Sequence, residues 1–111
     1  MENLLVETIQ KLENCGKQPS DVKWVGMSDG TKACTWEEFV KIADFYYDDG
    51  YKGDPCIDLS FVIVGDNWWL ERYEYDGSEW WEYKELPKLK DIHEKLTLKD
   101  IAPDLSNCNC E

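Results

Sequence analysis

The 111-residue sequence has little histidine and no recognisable catalytic or phosphate-binding motif. Its one histidine, His93, lies in a charged segment with no serine or cysteine at a known motif spacing, so a catalytic triad is not indicated. The stretch SDGTK lacks the pattern of a glycine-rich phosphate loop. We therefore expect no enzymatic activity and no cofactor.

Basic residues and export signals are also scarce. The chain has 12 Lys and Arg against 24 Asp and Glu, for a net charge of −12. Phosphates repel such a charge, so direct nucleic-acid binding is disfavoured. The N-terminus MENLLVETIQ has no basic region, and no apolar stretch approaches the roughly 20 residues of a membrane span. These absences predict a cytoplasmic protein without a membrane segment.

Metal sites and a disulfide framework are not indicated either. The cysteine count is odd, and without a secretory context we interpret the thiols as reduced: Cys15, Cys34, Cys56, Cys108 and Cys110. The Cys108–Cys110 pair has no second pair at zinc-site spacing. A calcium loop starting at Asp48 would have Gly50 and Leu59 at its third and twelfth positions, where oxygen ligands are required.

The negative charge is concentrated in the middle of the chain. Residues 35–86 contain fourteen acidic and four basic side chains, a net of −10, whereas residues 1–34 and 87–111 each carry −1. Self-repulsion makes such a concentration destabilising. It either keeps the protein soluble or forms a surface for a basic partner, and the sequence leaves both interpretations open.

Aromatic residues lie in the same region. The stretch WWLERYEYDGSEWWEY, residues 68–83, has four Trp and three Tyr among five acids and Arg72. Asp76-Gly77 between two alternating runs predicts a hairpin with a two-residue turn. In that register Arg72 faces Trp81, while a three-residue loop would shift the pairing by one.

Both faces of this hairpin carry aromatic rings in either register. A core would not bury the accompanying carboxylates unpaired. We therefore expect one face to pack on helices and the other to form a partly exposed surface of rings and acids. The sequence does not determine which face is exposed.

The remaining elements follow from apolar spacing and capping residues. Helices are predicted at 1–15, at 35–49 and, with the amphipathic pattern KLKDIHEKL, at 88–96. Asn3 and Gly16 are the expected caps of the first helix, and Thr35 and Glu38 form the expected capping box of the second. A short hairpin is predicted around residues 28–31, and the apolar run 61–64 predicts a strand inside a sheet.

Together these elements predict a single α+β domain over residues 1–103, with a flexible tail at 104–111. It contains an antiparallel sheet of about four to five strands with two or three helices packed on one face. Trp36, at the start of the second helix, is expected to be buried.

In size, charge, lack of a catalytic motif and mixed α+β pattern, the whole chain resembles the small acidic inhibitors that phages and other mobile elements direct against host nucleases. These include anti-CRISPR proteins and other DNA mimics. Immunity proteins that neutralise toxin nucleases share the same features. The resemblance implies a protein that inhibits a basic, nucleic-acid-handling partner by charge mimicry.

The candidate contact residues are the acids that surround the hairpin and three aromatic side chains that would anchor the partner. They are Asp48, Asp49, Asp54, Glu71, Glu74, Asp76, Glu79, Glu82, Trp69, Tyr73 and Trp80. Paired Trp and Tyr beside acids also suit a carbohydrate- or cation-binding module. The oligomeric state and the identity of the partner are not indicated.

Overall fold

The computed structural model describes residues 1–48 and 54–105. Its strands are β1 (Glu2–Asn3), β2 (Val22–Met27), β3 (Ala33–Cys34), β4 (Tyr46–Tyr47), β5 (Phe61–Gly65), β6 (Trp68–Tyr75) and β7 (Ser78–Glu85). Its helices are α1 (Leu4–Asn14), α2 (Trp36–Ile42) and α3 (Leu98–Ile101), with a 3₁₀ turn at Pro19–Asp21. The strands form a five-stranded antiparallel sheet, in the order β3-β2-β5-β6-β7, and a two-stranded sheet of β1 and β4. The predicted α+β class is confirmed.

The β6–β7 hairpin has the predicted two-residue turn. Asp76 and Gly77 have φ angles of 51° and 88°, and a type I′ turn requires positive φ at both central residues. Arg72 is paired with Trp81, and Tyr73 with Trp80. The predicted register is therefore confirmed, and the register of a three-residue loop is excluded.

Strand β5 occupies the centre of the sheet, as its apolar sequence predicted. It pairs with β2 on one side and with β6 on the other. A bulge between Val22 and Trp24 shifts the register of β2. Val22 and Trp24 therefore lie on opposite faces of the sheet, because an extra residue in one strand reverses the alternation.

Helix α1 begins and ends at the predicted capping residues. The side chain of Asn3 accepts a hydrogen bond from the backbone N–H of Val6 at 3.1 Å. Gly16 follows the helix with φ 72°, a conformation that glycine adopts without steric cost. The local sequence thus determines both ends of this helix.

Helix α2 has the predicted capping box between Thr35 and Glu38, but it ends at Ile42 instead of 49. The N–H groups of Leu4 and Leu5 in α1 donate to the carbonyls of Phe45 and Ala43, at 3.1 and 3.0 Å. The N–H groups at the start of α1, which have no partner within that helix, thereby donate to carbonyls that lie just after α2. This tertiary contact favours the extended strand β4 over further helical turns.

Both longer helices pack on one face of the sheet, as predicted. The indole N–H of Trp81 donates to the hydroxyl of Thr8 at 2.9 Å, which joins α1 to β7. The ring of Phe61 lies 5.7 Å from that of Phe39 in α2 and 5.5 Å from that of Trp81. Trp36 contacts Phe39 but is only partly buried, so its predicted full burial is wrong.

The helix predicted at 88–96 is absent from the structure. Residues 87–105, here named the C-terminal arm, contain only the single turn α3, which Thr97 and Asp100 cap. A nine-residue helix is marginal in water unless its apolar side is buried. The side chains of residues 88–96 are all exposed, so no packing stabilises this helix.

Candidate functional site

The two faces of the five-stranded sheet have different surroundings. Directly opposed residues of antiparallel strands share a face, and successive residues alternate between faces. The inner face, covered by α1 and α2, includes the buried side chains Ile63, Leu70, Arg72 and Trp81. The outer sheet face consists of Trp24, Val62, Val64, Trp69, Glu71, Tyr73, Tyr75, Trp80, Glu82 and Lys84.

An apolar row crosses the outer sheet face. Trp24 is paired with Val64, and Val64 is paired with Trp69. Gly26 lies beside this row, where an added Cβ would come within 2.7 Å of the Trp24 ring. Because glycine has no side chain, the indole can lie across the backbone of β2. The row forms a broad surface that neither packed helix covers.

Two carboxylates lie directly opposite each other beside that row. Glu71 of β6 is paired with Glu82 of β7. Within residues 1–48 and 54–105 neither carboxylate makes a hydrogen bond or an ion pair. Like charges at opposed positions destabilise a sheet. Sequence features that oppose stability without visible compensation tend to occur at functional sites.

Aromatic rings flank this pair of acids. Trp69 lies on one side along the strands, and on the other side the rings of Tyr73 and Trp80 are 5.4 Å apart. Tyr73 is 50% exposed. Carboxylates accept charge-assisted hydrogen bonds from cations, and aromatic faces attract the same cations. The arrangement is suited to receiving a lysine or arginine side chain.

On the inner face of the same hairpin, acidic side chains are paired with an arginine. Arg72, 4% exposed, donates hydrogen bonds to Glu7 at 3.2 Å, to the Tyr47 hydroxyl at 3.0 Å and to Glu79 at 3.1 Å. Its guanidinium also lies 4.8 Å from the centre of the Trp81 ring. The charge of this buried arginine is thus compensated by two carboxylates.

Glu79 also anchors a loop. Its two carboxylate oxygens accept the backbone N–H groups of Cys56 and Ile57, at 2.7 and 3.0 Å. The residue is 4% exposed, and its acceptors are used inside the molecule. The prediction that Glu79 contacts a partner is therefore wrong, because the residue lies in the interior with its oxygens already hydrogen-bonded.

Burial changes the titration of this inner cluster. Desolvation raises the pKa of Glu7, although Tyr47 and Arg72 act in the opposite direction. The pKa of Tyr47 is also raised, by burial and by its hydrogen bond to Glu7. Burial alone would lower the pKa of Arg72, but Glu7, Tyr47 and Glu79 raise it overall, so the guanidinium stays charged.

The other predicted acids do not share one surface with Glu71 and Glu82. Glu74 lies on the inner side, partly buried, and accepts the N–H of Gly77 at 3.4 Å. Asp76 is exposed in the hairpin turn, and Asp48 and Asp54 are exposed in the loop region that Glu79 anchors. Asp49 lies outside the described residues.

Trp24, Val62 and Val64 belong to the outer sheet face but were not among the predicted site residues. Trp24 lies forty-four positions before Trp68, the first residue of the hairpin. The bulge in β2 also interrupts the regular alternation of side chains between the two faces. The apolar residues of β5 are typical of a central strand, and their pattern does not show which side is left uncovered. Only the strand order brings these residues together.

The described part of the chain contains no cluster of three or more His, Cys, Asp or Glu side chains that could hold a metal ion. Among the described residues, no helix has the length and apolar character needed to cross a membrane. No family model, curated protein or solved structure matches the chain. The geometry of the outer sheet face therefore carries the functional argument.

Proposed function

We propose that this protein is an acidic inhibitor that binds a basic, nucleic-acid-handling protein through the outer sheet face. The observation that carries the proposal is the opposed pair of Glu71 and Glu82, which forms no ion pair or hydrogen bond in the described chain and is flanked by aromatic rings. A cation from the partner would relieve the repulsion within this pair. Binding would therefore recover the free energy that the repulsion between these two carboxylates costs the folded protein.

The aromatic residues would supply the apolar part of the contact. Tyr and Trp are enriched among residues that dominate binding energy, and such residues lie near the centre of an interface. Trp69, Tyr73 and Trp80 surround the acid pair in this way. A lysine or arginine held between the carboxylates would also contact a ring face.

The partner's cations are those that otherwise bind phosphate. Neighbouring strands of a sheet are about 4.7–4.9 Å apart, and phosphates repeat every ~3.4 Å along a DNA strand. The opposed carboxylates of Glu71 and Glu82 would therefore occupy the positions of neighbouring phosphates in a basic groove that accepts nucleic acid. Nucleic acid would then compete with this protein for the partner.

The experiment is affinity capture from a cell lysate, followed by calorimetry with the captured protein. The test variant Glu71→Gln/Glu82→Gln keeps the shape of the surface and removes both charges. The matched control Glu13→Gln/Glu37→Gln removes two exposed charges from α1 and α2, which cover the opposite face. We expect the test variant to bind at least about tenfold more weakly, a loss of ~1.4 kcal/mol, and the control to bind normally.

Salt and nucleic acid complete the test. Raising the ionic strength shortens the screening length, so wild-type affinity should fall, and it should fall less for the test variant. Added DNA or RNA should displace the protein from its partner. Equal affinity of both variants at low and high salt would show that the acid pair has no role in binding.

The alternative of a small cation- or carbohydrate-binding module is favoured by the half-exposed Tyr73 beside Trp80. It makes a different prediction in the same experiments. A quaternary amine or a sugar would bind saturably in the absence of any protein, and DNA would not compete. That result would replace the inhibitor proposal.

A further inference from the structure

The C-terminal arm exposes an unusual amount of aliphatic surface. Leu89 and Ile92 are 89% and 90% exposed. Four further aliphatic side chains of the arm are also exposed: Leu96, Leu98, Ile101 and Leu105. Contiguous exposed apolar surface marks an interaction site more often than isolated apolar residues do.

The arm extends away from the body of the protein. Within the described residues, the last backbone hydrogen bond to the sheet is from the Leu86 N–H to Asn67, and residues 87–105 bond only among themselves. The Cα radius of gyration is 18.3 Å, whereas a compact domain of this length has about 13 Å. The arm is therefore positioned to reach another molecule.

The sequence of the arm is suited to a helix on a surface. Leu89, Ile92 and Leu96 are spaced i, i+3 and i+7, which places them on one side of a helix. Lys88 and Lys95 are seven residues apart and flank that side. A docked arm would thus present an apolar stripe edged by two positive charges.

The outer sheet face has the complementary features. Val64 and Trp69 form an apolar row, and Glu71 and Glu82 lie next to it without forming an ion pair among the described residues. An apolar helix side and an apolar sheet side stabilise each other when they pack. Lysines at the edge of the helix would meet the two carboxylates.

We propose that the C-terminal arm folds into a helix on the outer sheet face of a second copy of this chain. Reciprocal exchange of arms gives a twofold dimer in which both arms and both faces are covered. The arm leaves the end of β7, and within the described residues it forms no hydrogen bond or ion pair with its own outer face, so the second copy supplies the surface.

The expected interface is small. Each docked arm buries three large aliphatic side chains, at roughly 100 Å² each, and a similar area of the sheet. Two such contacts bury about 1,200 Å² in total, the lower end for a stable interface. The dimer should therefore be weak and depend on concentration. It would also cover the face proposed for the partner, so partner binding would dissociate it.

The test uses the full chain and two double variants. Leu89→Gln/Ile92→Gln makes the arm polar without changing its charge, and Val64→Thr/Trp69→Thr makes the face polar with strand-forming residues. Lys90→Asp/Asp91→Lys, off the stripe, is the control. Mass by light scattering and helix content by circular dichroism are measured over a wide range of concentrations.

We expect the wild type and the control to approach the dimer mass, with rising helix content, as concentration increases. Either double variant should weaken the dimer about a hundredfold or more, because the burial of two large side chains is lost. Mixing the two variants should give a heterodimer that is weaker than the wild-type dimer but stronger than either variant alone, because one of the two contacts between an arm and a face remains intact. This mixing result separates exchange between copies from packing within one chain.

Two outcomes would overturn the proposal. The wild type could remain monomeric at all concentrations, or it could be monomeric with a helix that the face variant abolishes, which would place the arm on its own sheet.

If the face variant does not fold, Glu71→Lys/Glu82→Lys keeps the apolar row and repels the arm lysines. Weakened dimerisation of that variant would support the proposal, and unchanged dimerisation would contradict it. Neither result depends on the proposed inhibitory function.

Discussion

On the inner face of the β6–β7 hairpin, Glu79 meets the guanidinium of Arg72 and two backbone N–H groups. On the outer face of the same hairpin, Glu71 meets Glu82. A carboxylate in the interior must be compensated because desolvation is costly, whereas a carboxylate near water tolerates a like-charged neighbour at a small cost. The inner acids are therefore paired within the fold, and the outer acids require another explanation.

The largest effect should come from removing the cation of the inner face. Arg72→Met leaves Glu7 and Glu79 without their guanidinium, and breaking a buried pair in this way costs about 3–5 kcal/mol. Urea unfolding measures the loss. Lys84→Met, which removes an exposed cation from the outer face of the same hairpin, is the control and should change stability little. A loss below ~1 kcal/mol for Arg72→Met would mean that the inner carboxylates do not need this partner.

The next effect concerns binding on the outer face and depends on the proposed function. Tyr73→Ala should reduce affinity for the captured partner by about 2 kcal/mol or more, while stability changes by less than ~1 kcal/mol because the ring is half exposed. Calorimetry and urea unfolding give the two quantities. Tyr46→Ala removes an exposed ring from β4 and should leave affinity unchanged. Equal losses for both variants would argue against an anchor on this face.

A smaller effect should appear when the outer repulsion is removed. Glu82→Lys places opposite charges across the strands, and we expect stability to rise by about 0.2–1 kcal/mol. The gain should shrink as salt is added. Asp104→Lys makes the same charge change in the exposed arm and should have almost no effect. If Glu82→Lys were destabilising, the two carboxylates would not be repelling each other.

The smallest effect is the pH dependence of the inner cluster. Burial raises the pKa of Glu7 above its ordinary 4.5, so the folded state holds this proton more tightly than the unfolded state. The stability of the wild type relative to Glu7→Gln should therefore rise as pH falls from neutral towards 4.5. Urea unfolding at several pH values measures this difference. If the stability of the wild type relative to Glu7→Gln decreased as the pH was lowered, pairing with Arg72 would have a larger effect on the pKa of Glu7 than burial.

Short-range features of the fold could be predicted from the sequence. The turn at Asp76-Gly77 fixed the pairing of Arg72 with Trp81, because positive φ at two adjacent residues selects one turn type. The caps of α1 and the capping box of α2 were also predicted. Each of these depends on residues a few positions apart.

Features that depend on distant contacts could not be predicted in this way. The end of α2 was predicted too late because the carbonyls of Ala43 and Phe45 bond to Leu5 and Leu4, which lie about forty residues earlier in the chain. The bulge at Val22 and Trp24 is set by the pairing with β5. The segment 88–96 is exposed in the structure, and a helix of nine residues is marginal in water unless its apolar side is packed.

The candidate site likewise combines a feature that the local sequence predicts with a feature that depends on distant contacts. The sequence by itself determined that the hairpin has two mixed faces of rings and acids, because side chains of a strand alternate. Only the tertiary structure decided that α1 and α2 cover the face of Arg72 and Glu79 and leave Glu71 and Glu82 uncovered. Which face the helices cover depends on contacts such as that between Thr8 and Trp81, which are seventy-three residues apart in the sequence. No local pattern can specify such a contact, because its energy exists only after the chain has folded.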